Sequence, residues 1–242
     1  MEHPNIVEFS VYGDYGLFSD PITRIGGEKC SYQVPTYEAL KGILSSIYWK
    51  PTIIWYIDKV RVMNQIQMET KGIRTLKYND GKNNDLSYYT YLKNCHYQVQ
   101  AHFEWNLNRD DLKKDRNENK HHNIAKRMIE KGGRRDVFLG TRECQAYVEP
   151  CQFGQGEGAY DSLSELSFGL MYHGITYPDE AYSEETKDKI TVNFWNPVMK
   201  KGVIEFLRPE QCQIHKSLHD LKMKVFEEKK NFIGIKEFEG VD

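Results

Sequence analysis

A mixed α+β fold, with helices laid against a largely antiparallel sheet, is what this 242-residue chain predicts. Three observations carry the prediction. Several segments alternate apolar and polar residues with the period of two that a half-buried strand shows. Two others repeat apolar residues at helical spacing beside helix start or stop signals. Up to residue 150 these segments interleave as strand, helix, strand, strand, helix, strand.

Residues 6–12, Ile-Val-Glu-Phe-Ser-Val-Tyr, read as the first strand. The Gly/Asp/Pro-rich stretch from Gly13 to Gly27 is too long and irregular for a hairpin. Thr36 can cap a helix, because Tyr37, Leu40, Ile43, Leu44 and Ile47 follow on one face. Pro51 stops that helix, since the residue before a proline is pushed out of the helical region. Ile53 to Ile57, continued through Val60, Val62 and Ile66, predicts one long strand. Asn79 to Asp85 is a turn cluster. The chain then returns through Tyr88–Leu92 and His96–Trp105, the latter alternating strongly. A polar helix fits residues 117–131, marked by Ile124, Met128 and Ile129 and ended by Gly132-Gly133. The next strand runs from Arg142 to Val148, preceded by Val137–Gly140.

This order is the ferredoxin-like βαββαβ arrangement, also found in RNA-recognition modules, with both helices on one face of a four-stranded sheet. After Pro150 the pattern changes. Gly154–Gly158 reads as a flexible surface loop, and short strands are expected at 167–177, 190–195 and 202–206, forming a small added antiparallel sheet. An acidic loop, Pro178 to Asp188, lies between them. The expected division is residues 1–149 for the ferredoxin-like domain, 150–217 for the small sheet and 218–242 for a charged tail, in part helical or disordered.

Composition bounds the function classes. Hydrophobic residues make up 39% and charged residues 28%, which supports a core and excludes a disordered or collagenous chain. No apolar run reaches the ~20 residues of a membrane span, and the first residues are unlike a secretory signal. Five scattered cysteines without a CxxC pair indicate neither a disulfide framework nor a structural zinc site. A soluble cytoplasmic protein is expected. The net charge of −2 hides an asymmetry: +5 up to Arg142 and −7 beyond it. Arg109 to Arg142 alone holds 11 basic and 6 acidic residues. That stripe fits either a polyanion site on one face or a solvated helix of mixed charge.

The chemistry-bearing candidates are few. The eight histidines contain no HExxH, and the adjacent His121 and His122 would point about 100° apart on a helix. No metal and no cofactor are therefore expected. The glycine run at 154–158 lacks the Gly-Lys-Ser/Thr of a phosphate-binding loop. Lys120-His121-His122 opens the basic helix. Histidine moves protons near neutrality, and a neighbouring lysine can stabilise a pentacovalent phosphate. The set suits metal-free RNA cleavage, and it equally suits exposed residues at a helix cap. Sixteen tyrosines can stack on bases or pack a sheet. Tyr48 stands apart, ending the first helix beside Lys50.

Several stretches carry a family resemblance. They are Gly13–Pro21, Gly26–Lys29, Val34–Tyr37, Ala39–Ile43, Ser46–Pro51, Ile66–Glu69 with Lys71-Gly72, Asp115–Glu118, Gly132–Asp136 and Phe138–Cys144. From Val7 to Pro209 the chain resembles the CRISPR-associated Cas-five family, subtype Dvulg (type I-C), of the RAMP superfamily. The resemblance implies an endoribonuclease that recognises the repeat hairpin of pre-crRNA and cleaves at the 3′ base of its stem. It implies that the protein stays with the mature crRNA among the other type I-C Cascade subunits. It also implies a catalytic group of Tyr48, Lys120 and His121. His121 would be general acid or base, Lys120 would stabilise the phosphorane, and Tyr48 would orient the 2′-OH or share its proton. Lys50, Arg116, His122, Lys126, Arg127, Arg134 and Arg135 are the expected RNA contacts. The rival expectation is a non-catalytic subunit that caps the 5′ handle of the guide RNA.

Overall fold

The computed structural model describes residues 3–77 and 79–222. Its larger sheet is built around β1 (Val7–Gly16), β3 (Ile53–Val62), β5 (Asp80–Trp105) and β7 (Gln145–Pro150). They lie in the order β7-β1-β5-β3, and every neighbour is antiparallel. The short β2 (Lys29–Cys30) adds parallel to β5, and β4 (Gln67–Lys77) pairs antiparallel with the first half of β5. β6 (Val137–Phe138) extends the sheet beyond β7. The other edge is continued by β12 (Val203–Glu205), β11 (Val198–Lys200) and β8 (Leu166–Ser167). A second sheet holds β9 (Met171–Thr176), β10 (Lys189–Trp195) and β13 (Ile214–Asp220). The fold is thus mixed α+β, mostly antiparallel and poor in helix.

The two α-helices among the described residues, α1 (Tyr37–Ile47) and α2 (Glu118–Glu130), cover one face of the larger sheet. Alternation explains which face. Val7, Phe9 and Val11 of β1, Val99, Ala101 and Phe103 of β5, and Ile53, Trp55 and Ile57 of β3 are all buried on that side. α1 returns Leu40, Ile43, Leu44 and Ile47 to them, and α2 returns His121, Ala125 and Ile129. A histidine therefore occupies the first core position of α2.

α1 starts where expected, with the Thr36 hydroxyl accepting from the Ala39 amide at 3.2 Å. It ends at Ile47, and Tyr48 is already extended, with φ −156°. Replacing Thr36 by alanine leaves that amide without its cap, and a loss of about 1 kcal/mol in urea unfolding is expected. α2 is capped by Asn117, which accepts from the Lys120 amide, and its end carries Gly132 and Gly133 at φ +79° and +110°.

Four expectations need correction. The Asn79–Asp85 turn is narrower than expected, because β5 begins at Asp80: Lys77 pairs with Asp80, and after a register shift Leu76 pairs with Asn84 and Thr75 with Asp85. Cross-strand pairing there overrides the turn preference of Asn, Asp and Gly. The long first-half strand ends at Val62, and Gln67–Lys77 is a separate strand. Residues 203–205 do not join the small sheet; they pair with Lys59–Arg61 of β3. An unpaired β3 edge would expose a row of backbone groups, and β12 covers it while burying Ile204. The third strand of the small sheet is β13, which takes in Leu218–Asp220 from the expected tail. The rest of that tail, 223–242, lies outside the described residues.

The Gly154–Gly158 loop is held rather than loose. The buried Arg61 guanidinium donates to the carbonyls of Gln155 (3.1 Å) and Gly156 (2.9 Å) and pairs with Asp161 at 2.7 Å. Gln98 closes the other side, accepting from the Gly154 amide and donating to the Gln155 carbonyl.

Candidate active site

The ends of α1 and α2 meet over the sheet, and the three residues singled out in the sequence meet with them. The Tyr48 hydroxyl lies 2.7 Å from His121 Nδ1. His121 Nε2 lies 2.8 Å from the Asp115 carbonyl oxygen. A carbonyl can only accept, so Nε2 carries a proton. In the neutral ring Nδ1 is then the acceptor for Tyr48 O–H.

Backbone contacts hold each partner. The Tyr48 amide donates to Leu44 O at 2.8 Å, and the Trp55 indole N–H donates to Tyr48 O at 2.8 Å. His121 packs edge-on against the rings of Phe103 and Trp105. The Arg135 amide donates to Ser46 O at 3.1 Å, which ties the turn after α2 to the last turn of α1. Arg134, Arg135, Ser45 and Trp49 line a small cleft there.

Asp115 organises the polar side. Its carboxylate accepts from Thr52 at 2.9 Å, pairs with Lys120 Nζ, and approaches His121 Nε2 at 3.5 Å. The hydrogen bond from Lys120 holds the Asp115 carboxyl below the usual carboxylate range, with Thr52 and His121 adding to the effect. Burial raises the Tyr48 hydroxyl above the usual phenol value and the Asp115 charge adds to this, while Arg134 opposes it. Tyr48 is therefore a phenol, not a phenolate, at neutral pH. His121 is 0% and Tyr48 3% exposed, whereas the Lys120 side chain is 48% exposed.

The remaining expected residues separate. Lys50, Arg134 and Arg135 are exposed around the Tyr48 end, and Lys126 and Arg127 are exposed on the outer side of α2. His122 turns away from Tyr48, its Nε2 2.9 Å from Ile6 O. Arg116 is occupied with structure: its guanidinium donates to the carbonyls of Asn106 (3.0 Å) and Arg109 (3.2 Å). Sequence reasoning missed Asp115, Thr52 and Trp49 as site residues. Asp115, five residues before Lys120 in the basic stripe, offered one signal, since a carboxylate beside a candidate lysine is a ready partner.

The chain as a whole is similar to known proteins. Residues 6–207 match the family described as CRISPR-associated protein (Cas_Cas5), and the chain belongs to that family. The matching branch within it is Cas5d. The CRISPR pre-crRNA endoribonuclease Cas5d of Mannheimia succiniciproducens is 28% identical over 233 residues, covering 83% of this chain and 94% of its own. The protein of the same name from Thermus thermophilus is 27% identical over 178 residues, covering 69% and 73%. A crystal structure of a CRISPR-associated protein has the same overall fold, with a TM-score of 0.73 at 36% identity, covering 87% of this chain and 96% of that one.

Proposed function

We propose that this chain is a pre-crRNA endoribonuclease that cleaves the CRISPR repeat hairpin at the 3′ base of its stem without a metal ion. The observation that carries the reading is the directed chain Tyr48 O–H to His121 Nδ1, with Nε2–H fixed on Asp115. The ribose 2′-oxygen attacks the adjacent phosphorus and the P–O5′ bond breaks. The 2′-OH proton passes to the Tyr48 oxygen as Tyr48 hands its own proton to His121. The leaving 5′-oxygen takes a proton from solvent, and the products are a 2′,3′-cyclic phosphate and a 5′-OH. Lys120, released from Asp115 by the incoming phosphate, offsets the charge gathered in the phosphorane. Tyr48 touches the substrate, and the buried His121 acts through it.

Lys50, Arg134 and Arg135 would hold the flanking phosphates, with Trp49 available to stack on an unpaired base. Lys126 and Arg127 would extend that contact along α2. The ferredoxin-like reading is supported by the order β7-β1-β5-β3 around α1 and α2, which places the four strands as 4-1-3-2. We assign the active site to residues 1–149, and the acidic second half to contacts with the other type I-C Cascade subunits around the mature crRNA.

One observation favours a second reading. His121 is fully enclosed, as a core hydrogen-bonded histidine would be, and a scaffold that only caps the 5′ handle needs no more. Cleavage of a labelled repeat hairpin in EDTA separates the two. Chelator-resistant cutting that a 2′-deoxy substitution at the scissile nucleotide abolishes is the expected result. Tight binding with the hairpin left whole would establish the scaffold instead.

A further inference from the structure

We propose that His3, His102 and Glu104 form a binding site for a divalent transition ion of the zinc type, separate from the catalytic pair. His102 and Glu104 alternate with Phe103 and Trp105 along β5. Phe103 and Trp105 face His121, so His102 and Glu104 face the opposite side of the sheet. The fold brings His3 onto the same spot, its ring stacked on His102 with centroids 3.7 Å apart. One nitrogen or oxygen from each of the three residues falls within 4.8 Å of the others.

Two further observations point to a ligand. His102 is 2% exposed, yet its Nε2 has no hydrogen-bond partner. Glu104 Oε1, the approaching acceptor, stands 3.6 Å away, beyond hydrogen-bond reach. An orphaned buried ring nitrogen is costly, and an ion would satisfy it. On the other side of the same ring, Nδ1 is 2.9 Å from both carboxylate oxygens of Asp58. A carboxylate that accepts from Nδ1–H of a neutral ring leaves Nε2 with its lone pair, which is the arrangement behind metal-binding histidines.

Two imidazoles and one carboxylate suit a borderline divalent ion, with water completing a tetrahedron. Arg208 pairs with Glu104 and lies over the Tyr56 ring at 4.6 Å, so it fixes the carboxylate and leaves lone pairs free. The two carboxylates, Asp58 and Glu104, face the single guanidinium of Arg208. A metal lies in the plane of each imidazole it binds, so His3 must swing out of the stack to coordinate. His3 is half-buried and lies ahead of β1, outside the strands of the sheet. His215 and His219, spaced i,i+4, do not compete as a pair: on strand β13 they lie about 13 Å apart.

The test is calorimetric titration of Zn²⁺ into chelator-treated, dialysed full-length protein, with Co²⁺ visible absorption reporting coordination. One saturable site is expected, with a tetrahedral Co²⁺ spectrum. His3→Ala and Glu104→Gln should each weaken Zn²⁺ binding at least tenfold. Asp58→Asn should weaken it by about 10–100-fold through the His102 ring. Far-UV circular dichroism checks each variant, and His3→Ala, a half-buried position ahead of β1, carries the test if another fails to fold. Absence of a saturable site overturns the proposal, as does an affinity that His3→Ala leaves within twofold of wild type. Hairpin cleavage by His3→Ala should equal wild type with and without EDTA, which keeps this site distinct from the reaction at Tyr48.

Discussion

Replacing Tyr48 by phenylalanine is expected to slow hairpin cleavage by about 10²–10⁴-fold, the usual contribution of a positioned proton-transfer group, while affinity for the hairpin is retained. The ring stays, so its place in the hydrophobic core is preserved. Only the hydroxyl that meets His121 Nδ1 at 2.7 Å is lost. That nitrogen then lies buried without a partner, and urea unfolding should show a loss of about 1–3 kcal/mol. Stability therefore moves in either reading, and cleavage decides between them. Lys120→Ala supplies the complement. Its side chain is half exposed and its pairing with Asp115 is worth at most about 1 kcal/mol, so stability should hold while cleavage falls. If both variants cut at wild-type rate, the Tyr48–His121 contact is a core hydrogen bond and the assignment of catalysis to Tyr48 and Lys120 fails.

The second large effect concerns folding. Gly140 sits at φ +90°, and a Cβ built there would stand 2.1 Å from the Leu17 carbonyl oxygen. That contact is backbone against backbone, on the segment where the Leu17 amide donates to Leu139 O at 2.9 Å, so nothing can rotate away. Gly140→Ala is expected to cost about 3 kcal/mol or more, enough to leave much of the protein unfolded or insoluble on expression. Gly154 is the control. Its φ is +88°, but the space around it is open, so Gly154→Ala carries the backbone strain alone, about 1 kcal/mol. Equal melting temperatures for the two variants would show that the Leu17 approach does not matter.

Both helices were legible because local rules and tertiary packing agree on them. Thr36 caps α1, and its apolar stripe is the stripe that packs. In α2 the sequence offered Ile124, Met128 and Ile129 as marks, and the buried face proves to be His121, Ala125 and Ile129. The polar histidine hid that stripe, and its rotation relative to His122 follows from it. Strand partners were less legible. β12 is three residues long and could close either sheet; only the open edge of β3 decides. β4 alternates weakly because most of it is exposed, and its pairing with β5 is what makes it a strand. Tyr48, Lys120 and His121 were nominated by residue chemistry and by resemblance, but their mutual geometry depends on the Arg135–Ser46 tie between helices. His3, His102 and Glu104 were invisible, since a separation of about a hundred positions is closed only by the fold.

β1 lies between β5 and β7, and its partners are distant: Val7 pairs with Ala101 and Phe9 with Pro150. During synthesis at about 5–20 residues per second, the first of these partners emerges roughly 5–20 s after β1 itself. For that interval Val7, Phe9 and Val11 form a nascent strand with both edges open. Biogenesis thus passes through a window in which an interior strand of the sheet is the least protected. Expression conditions that slow elongation lengthen the window, and an N-terminal fusion partner that occupies β1 early would shield the chain until β5 arrives.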